Sequence, residues 1–438
     1  MDSRLWRVFK SRVSVKIRPA AMPGKQSRGQ YHKSWYQANK ERIRARQQTR
    51  REQKALPDND GLNDIQRAYG ASCVEYEQKA NQLLQKSDTL VISGYGCALR
   101  VKYDALIVFP GKTHKDQTQT TVTLHRGVHT IKDIILLSDK GLVTLDAIKW
   151  SGEQGITIIM VDSHGHLLQS LPPDNESDAK LRQAQYRAID MGLDVHITRE
   201  IIRMKTEQQI MTLKALPSHP LIDGPYVIVD GRKATIKATG ELDYGDFIWQ
   251  PFEEALGTLP YVNDVNAIEL IEARLAITYW YYFLGIPLNW KESDRKKIPL
   301  HWLYCTQRIS PFSGNKNAQR AINPFHAVLN YAYAILAGQC RQALISQGFD
   351  AAKGFLHVPV LHRDSLVFDL MECHRPQVDR LALTLFRITK LAKGDFMSTK
   401  DGTVKFNPQF SRFIAASCRI PQADIESSVS WLKGLLIG

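Results

Sequence analysis

Asp369 and Glu372 stand three residues apart in the run SLVFDLMECHRP, and His357 lies twelve residues before Asp369 in GFLHVPVLHRD. Residues three apart on a helix share a face, and Leu366, Phe368, Leu370 and Met371 make the run helix-compatible and apolar. Carboxylates against a packed core need a partner. A divalent metal is one such partner and would make the stretch a Lewis-acid site. A salt bridge to Arg375 is the other and implies no chemistry.

Further candidates surround this stretch without settling the choice. Glu272, in IELIEARLAITYWYYF, begins a run that is apolar on nearly every face, so it faces solvent, pairs with Arg274 or points into a site. Asp364 and His362 flank the central stretch and compete for the same role. His326 reads as a satisfied helix-start residue. Arg308 and Arg320, in QRISPFSGNKNAQRAINPF, are candidates for contacting nucleic acid. No Walker loop, HExxH or GxSxG is found.

These residues need elements to hold them. From Thr89 the pattern is one of short strands, TLVISG, ALRVKYDALIVF, TTVTLHRG and TIKDIILLS, then a short helix LDAIKWSGEQG, the strand ITIIMVD and a hairpin-like DSHGH. LPPDNESD reads as a linker. From Ala179 the periods are helical, interrupted by PYVIVDGRKATIK, which predicts a small hairpin around Asp230 and Gly231. The expected class is α+β, a β-rich domain followed by a larger, mainly α-helical one. The boundaries are a basic arm over 1–60, a connecting helix over 61–88, the β-rich domain over 89–171, a linker over 172–180 and the helical domain over 181–438, with the hairpin near 225–240.

A 438-residue chain with 43% hydrophobic content has enough length for two or three buried cores. Its longest uncharged apolar run, LAITYWYYFLGIPL, is too short for a bilayer, so no membrane span is expected. Six cysteines without CxxC pairs suggest neither a zinc site nor a disulfide framework, and point to the cytoplasm. Charge is concentrated: residues 1–54 carry 16 Lys and Arg against three acids, +13, which leaves 42 against 41, or +1, for the rest. An arm of this kind, with Arg42, Arg44 and Arg46 in KERIRARQQTRREQK, gains affinity for phosphate through counterion release and need not fold to do so. A solvated tail and a targeting presequence are the other readings of the arm. Tyr31, Trp35 and Tyr36 interleave with its charges and suit base stacking.

Four ordered motifs give the chain a relative. Glu272 followed by the small Ala273, Asn323 through Tyr333 (NPFHAVLNYAY), Gly354 through His357 (GFLH), and Ser365 through Pro376 (SLVFDLMECHRP) resemble, in this succession, the Cas1 family, the CRISPR-associated endonuclease and integrase of the spacer-acquisition complex. IILLSDKGLVTLDAIKWSGEQGITIIMVDSHGHLL is similar to that family's β-domain, and IIRMKTEQQIMTL to the first helix of its α-domain. The resemblance covers roughly 89–413. It implies that Glu272, His357, Asp369 and Glu372 are catalytic and surround a divalent metal, Mg2+ or Mn2+, with Glu272, His357 and Asp369 the firmest ligands. It implies a strand-transfer reaction in which a 3′ hydroxyl of a short DNA duplex attacks a repeat boundary. A mobile-element integrase of casposase type and a noncatalytic DNA-binding scaffold are the alternatives. The implied partners are double-stranded DNA, a second copy joined through the β-domain, and a bridging Cas2 protein completing a heterohexamer. Cys373 and His374 depart from the family's pattern; His374 is expected at the surface rather than as an added ligand.

Overall fold

Apolar runs from Thr89 onward pair into two four-stranded sheets. The computed structural model describes residue 76 and residues 78–437, apart from 85–86, 112–119, 174–177, 217–225, 230–231, 237–241, 309–319 and 358–362. The first sheet joins β1 (Thr89–Ser93), β5 (Asp133–Leu137), β7 (Thr157–Val161) and β8 (Leu167–Leu171) in that order. β1, β5 and β7 run parallel, and β8 returns antiparallel beside β7. β5, DIILL, is buried at all five positions, as expected of a parallel strand covered on both faces. The second sheet has the order β4 (Val122–Leu124), β3 (Ala105–Phe109), β2 (Cys97–Lys102), β6 (Gly141–Val143). β2 and β3 form a tight hairpin whose two turn residues, Tyr103 and Asp104, take φ of 51° and 59°, the positive pair that such a turn requires.

Two cores follow from this arrangement. Ile92, Leu99, Leu106, Val108, Ile134, Leu136 and Ile158 pack with Trp150 of α1 (Leu145–Glu153) between the sheets. The opposite face of the first sheet, Val91, Ile135, Leu137, Ile159 and Val161, joins the core of the helical region. Helix α6 (Pro324–Ser346) covers that face, buried along most of its length. Its Gly338 lies so close that an added Cβ would come within 2.7 Å of the Ile159 side chain.

The helical region contains α2 (Ala179–Arg187), α3 (Leu193–Lys214), α4 (Gln250–Thr258), α5 (Val265–Tyr281), α6, α7 (Ser365–Ile388), α8 (Pro408–Ser417) and α9 (Gln422–Ile437). α7 lies along both α3 and α6, and α3 also meets α5. Caps fix where two of the site-bearing helices begin. The Asp264 carboxylate accepts the Ala267 N–H at 2.9 Å ahead of α5, and Asn323 accepts the Phe325 N–H at 3.0 Å ahead of α6, with Pro324 in the first turn where its missing N–H costs nothing.

Two features differ from the sequence reading. The excursion near 225–240 is a three-stranded antiparallel sheet of β9 (Tyr226–Val229), β10 (Arg232–Ile236) and β11 (Leu242–Phe247) rather than a two-stranded hairpin. The polar, glycine-containing LDYGDF carries little strand propensity, and pairing with β10 supplies what propensity does not. A second hairpin, β12 (Phe396–Ser398) with β13 (Val404–Phe406), interrupts the helices near the C-terminus. Its signal is Asp401-Gly402, with Gly402 at φ +85°. The arm, including Arg42, Arg44 and Arg46, and most of the 61–88 stretch lie outside the described residues; 78–84 is helical.

Candidate active site

Asp369, one turn into α7, is completely buried, and the chain before α7 folds around it. Its Oδ2 accepts the N–H groups of Phe355 at 2.6 Å and Leu356 at 3.1 Å. Its Oδ1 accepts the N–H of His357 at 2.9 Å and stands 2.7 Å from the His357 Nδ1. Three successive amides turned onto one carboxylate make an anion cradle. Gly354 is needed here for space, since a Cβ would fall 2.8 Å from Asp369 Oδ2. The carboxylate therefore fixes the ring: Nδ1 carries the proton toward Asp369, and Nε2 is left with its lone pair.

Glu372 is on the next turn of the same helix. Its Oε2 is 2.6 Å from the ammonium of Lys205, and its Oε1 is bonded to Arg375. Lys205, from α3, also bonds Glu272 of α5. Three helices thus meet at one ammonium shared by two carboxylates. Burial alone would raise the Glu372 carboxyl, but Arg375 and Lys205 outweigh it and hold the group at about 2, with His357 close enough to add to the same field. Burial works against the Lys205 charge too, and the two glutamates overcome it, leaving the ammonium above its ordinary value.

An aromatic and arginine layer continues from Glu372. The Arg375 guanidinium lies 5.4 Å from the Tyr333 ring centre and Arg308 lies 5.7 Å from it. Arg308 also donates to Asn330 Oδ1 at 2.7 Å. The Tyr333 and Tyr279 hydroxyls donate to Asp379 at 2.5 and 2.9 Å. Burial pushes Asp379 up to about 6 against the pull of those two donors.

The structure accordingly brings Glu272, His357, Asp369 and Glu372 into one cluster, with Arg308 in the adjoining layer. Arg320 is elsewhere, 3.8 Å from Asp401 on the β12–β13 hairpin. Asp364 is engaged by Arg341 at 2.8 Å, and His362 lies outside the described residues. His326 is buried at the start of α6 and is satisfied at one nitrogen only: its Nε2 donates to the Thr306 carbonyl at 2.6 Å, its Nδ1 has no hydrogen-bond partner among the described residues, and burial pushes it down to about 4. His374 is a correction. It is buried rather than at the surface, with Nε2 3.1 Å from Ser428 Oγ of α9, because its face of α7 is covered by the C-terminal helix.

Lys205 was missed by the sequence reading. A lysine in IIRMKTEQQ reads as solvated, yet it follows Ile201 and Ile202 by four and three residues, on the stripe that α3 buries. That phase is the signal that marks it.

Glu272 and Glu372, both bonded to one ammonium, offer oxygen donors of the kind that suit a hard divalent ion. Among the described residues no helix is long and apolar enough to cross a membrane.

Comparison with known proteins identifies the family. A CRISPR-associated endonuclease Cas1 of Archaeoglobus fulgidus is 28% identical over 313 residues, covering 70% of this chain and 80% of its own. Among solved structures, a casposase bound to an integration product is similar with a TM-score of 0.57 at 21% identity, over 78% of this chain and 82% of its own. A Cas6-RT-Cas1–Cas2 complex is similar with a TM-score of 0.52 at 15% identity, over 80% of this chain and 34% of its own; at these identities the likeness is one of fold. The family model described as CRISPR associated protein Cas1 matches residues 90–417, so that this chain belongs to the Cas1 family of CRISPR-associated endonucleases and integrases.

Proposed function

We propose that the protein is a metal-dependent DNA endonuclease and integrase that joins the 3′ hydroxyl of a short DNA duplex to the boundary of a CRISPR repeat. The observation that carries this is the convergence of Glu272 and Glu372, from separate helices, on one ammonium, while Asp369, one turn before Glu372 on the same helix, locks one nitrogen of His357. Glu272, Glu372 and the Nε2 of His357 would hold Mg2+ or Mn2+, the single imidazole being better tolerated by manganese. Asp369 has its oxygens occupied by three amides and the imidazole, so its role is to orient His357 rather than to ligate. When bound, the ion lowers the pKa of an attacking hydroxyl and offsets charge on the phosphodiester.

The chain's own residues do the rest. Lys205 balances the two glutamates, and Arg375 keeps Glu372 ionised at any physiological pH. Arg308, which shares the Tyr333 ring with Arg375, would be the side chain that meets a DNA phosphate. No nucleotide cofactor is required, because one phosphodiester replaces another. Residues 181–438 form the catalytic region, 89–171 the surface through which two copies pair, and a Cas2 protein bridges two such dimers.

Casposase-type integration of a mobile element is the second reading, favoured by the fold match to a casposase and by the added basic arm. The test is strand transfer of a duplex with free 3′ hydroxyls into a supercoiled plasmid, with Mn2+ or Mg2+, using a repeat-bearing and a repeat-free target. Alanine at His357 or Glu272 is expected to lower the rate by about a hundredfold or more while DNA binding persists. Full activity in either variant rejects the site, and equal use of both targets favours the second reading.

A further inference from the structure

The turn between β7 and β8 reads DSHGH, and it gathers Asp162, His164 and His166, whose ligand atoms all lie within 4.8 Å of one another. This group is built, not merely adjacent in sequence. The hairpin closes through the Asp162 N–H donating to the His166 carbonyl at 2.9 Å and the Gly165 N–H donating to the Asp162 carbonyl at 3.1 Å. Asp162 Oδ1 accepts the N–H groups of His164 and His166, both at 2.8 Å, which turns Oδ2 toward the two rings. Oδ2 is then 2.9 Å from His166 Nδ1 and 3.7 Å from His164 Nδ1. All three side chains are half-buried. Gly165, at φ +78°, seats the turn against α6, where an added Cβ would stand 2.7 Å from the Tyr331 nitrogen.

We propose that Asp162, His164 and His166 form a second metal site, separate from the acid cluster, that takes one zinc-class divalent ion. Two imidazoles and one carboxylate are the donors that suit Zn2+ or Co2+, whereas Mg2+ prefers an all-oxygen set. Ligand distances near 2.0–2.2 Å place neighbouring donors roughly 3–3.5 Å apart, close to the spacing already present between Oδ2 and the two Nδ1 atoms. Lys405 and Arg320 oppose a cation here, but each is tied to an acceptor: Lys405 Nζ is 2.8 Å from Ser163 Oγ and 4.0 Å from Asp139 Oδ2, and Arg320 is paired with Asp401. A metal would lock the turn that abuts α6, the helix that carries Tyr333 and Asn330 to the acid cluster.

The experiment is equilibrium binding of Zn2+, with Co2+ as the spectroscopic probe, to the untagged full-length chain and to His164→Ala and Glu272→Gln. His164→Ala is informative because the Asp162–His166 hydrogen bond and the backbone turn do not depend on that ring. We expect the wild type to bind one equivalent of Zn2+ more than His164→Ala does over the same titration, with a Co2+ absorption spectrum of nitrogen and oxygen ligation that loses that equivalent in His164→Ala. Glu272→Gln is expected to keep the His164-dependent equivalent and its Co2+ signal, whatever it changes at the acid cluster. Zn2+ binding unchanged in His164→Ala, or lost in Glu272→Gln, or absent from the wild type, overturns the proposal; none of these outcomes bears on strand transfer at the acid cluster.

Discussion

Lys205 decides how the acid cluster behaves without metal. Its ammonium is the counter-charge for two carboxylates, and a divalent ion entering between Glu272 and Glu372 meets a like charge there. Lys205→Met, similar in length but neutral, is expected to bind Mn2+ at least about tenfold more tightly in a calorimetric titration, since two unit charges a few ångströms apart interact by more than the ~1.4 kcal/mol that a tenfold change requires. The same variant leaves the glutamates facing each other, so its metal-free form should be destabilised by about 3 kcal/mol or more. Weaker Mn2+ binding would mean that Lys205 assembles the site instead. Asp379 supplies a pH test. Its carboxyl, pushed up to about 6 by burial, binds protons more tightly in the folded chain than in the unfolded one, so it favours folding increasingly as pH falls from about 6 toward its ordinary 3.8. His326, held down at about 4, titrates with the opposite sign over an overlapping range, so the diagnostic quantity is the difference between wild type and Asp379→Asn. Wild type should gain stability relative to the variant between pH 6 and 4 in denaturant titrations; a constant difference would count against the raised carboxyl.

Among the elements, α6 has the most to hold. It presses one face on the first sheet and another on α7, and Gly338 sets the closeness of the first of these faces. Gly338→Ala places a methyl at 2.7 Å from Ile159 Cγ2, well inside van der Waals range, so either the helix or the strand must shift. Overpacking of this kind costs roughly 1–3 kcal/mol, which outweighs the ~1 kcal/mol that alanine gains over glycine in a helix. The measurement is the denaturation midpoint, and a more stable variant would refute the close approach. α7 carries its own irregularity in Pro376, whose missing N–H leaves the Glu372 carbonyl without its helical donor just where the side chain enters the cluster.

For the whole molecule, the division of charge matters most. Residues 1–54 hold +13 of the +14 formal charge, so the remainder is close to neutral overall. Removing 1–54 is expected to weaken DNA binding and to flatten its dependence on salt, the slope falling by up to about 0.9 for each phosphate that the arm no longer neutralises. The check is a set of binding isotherms at several salt concentrations; an unchanged slope would show that the arm does not touch DNA. A β-rich region followed by a helical one was readable because strand and helix periods differ along the chain, and the family motifs were readable because each is local.

What local pattern cannot carry is the meeting of distant segments. The sequence by itself determined the α+β class, the apolar run of α7 and the spacing of Asp369 and Glu372, since a period of 3.6 residues and a change to a period of two are properties of neighbours. It left open whether Glu372 answers to a metal or to Arg375, and the tertiary structure shows Arg375 and Lys205 both upon it. Only folding brings α3, α5 and α7 together, 67 residues separating Lys205 from Glu272 along the chain. Only folding assigns Asp369 to the amides of Phe355, Leu356 and His357. DSHGH is the intermediate case: its residues are neighbours, but the direction of the Asp162 carboxylate depends on how the hairpin closes and on the helix it rests against.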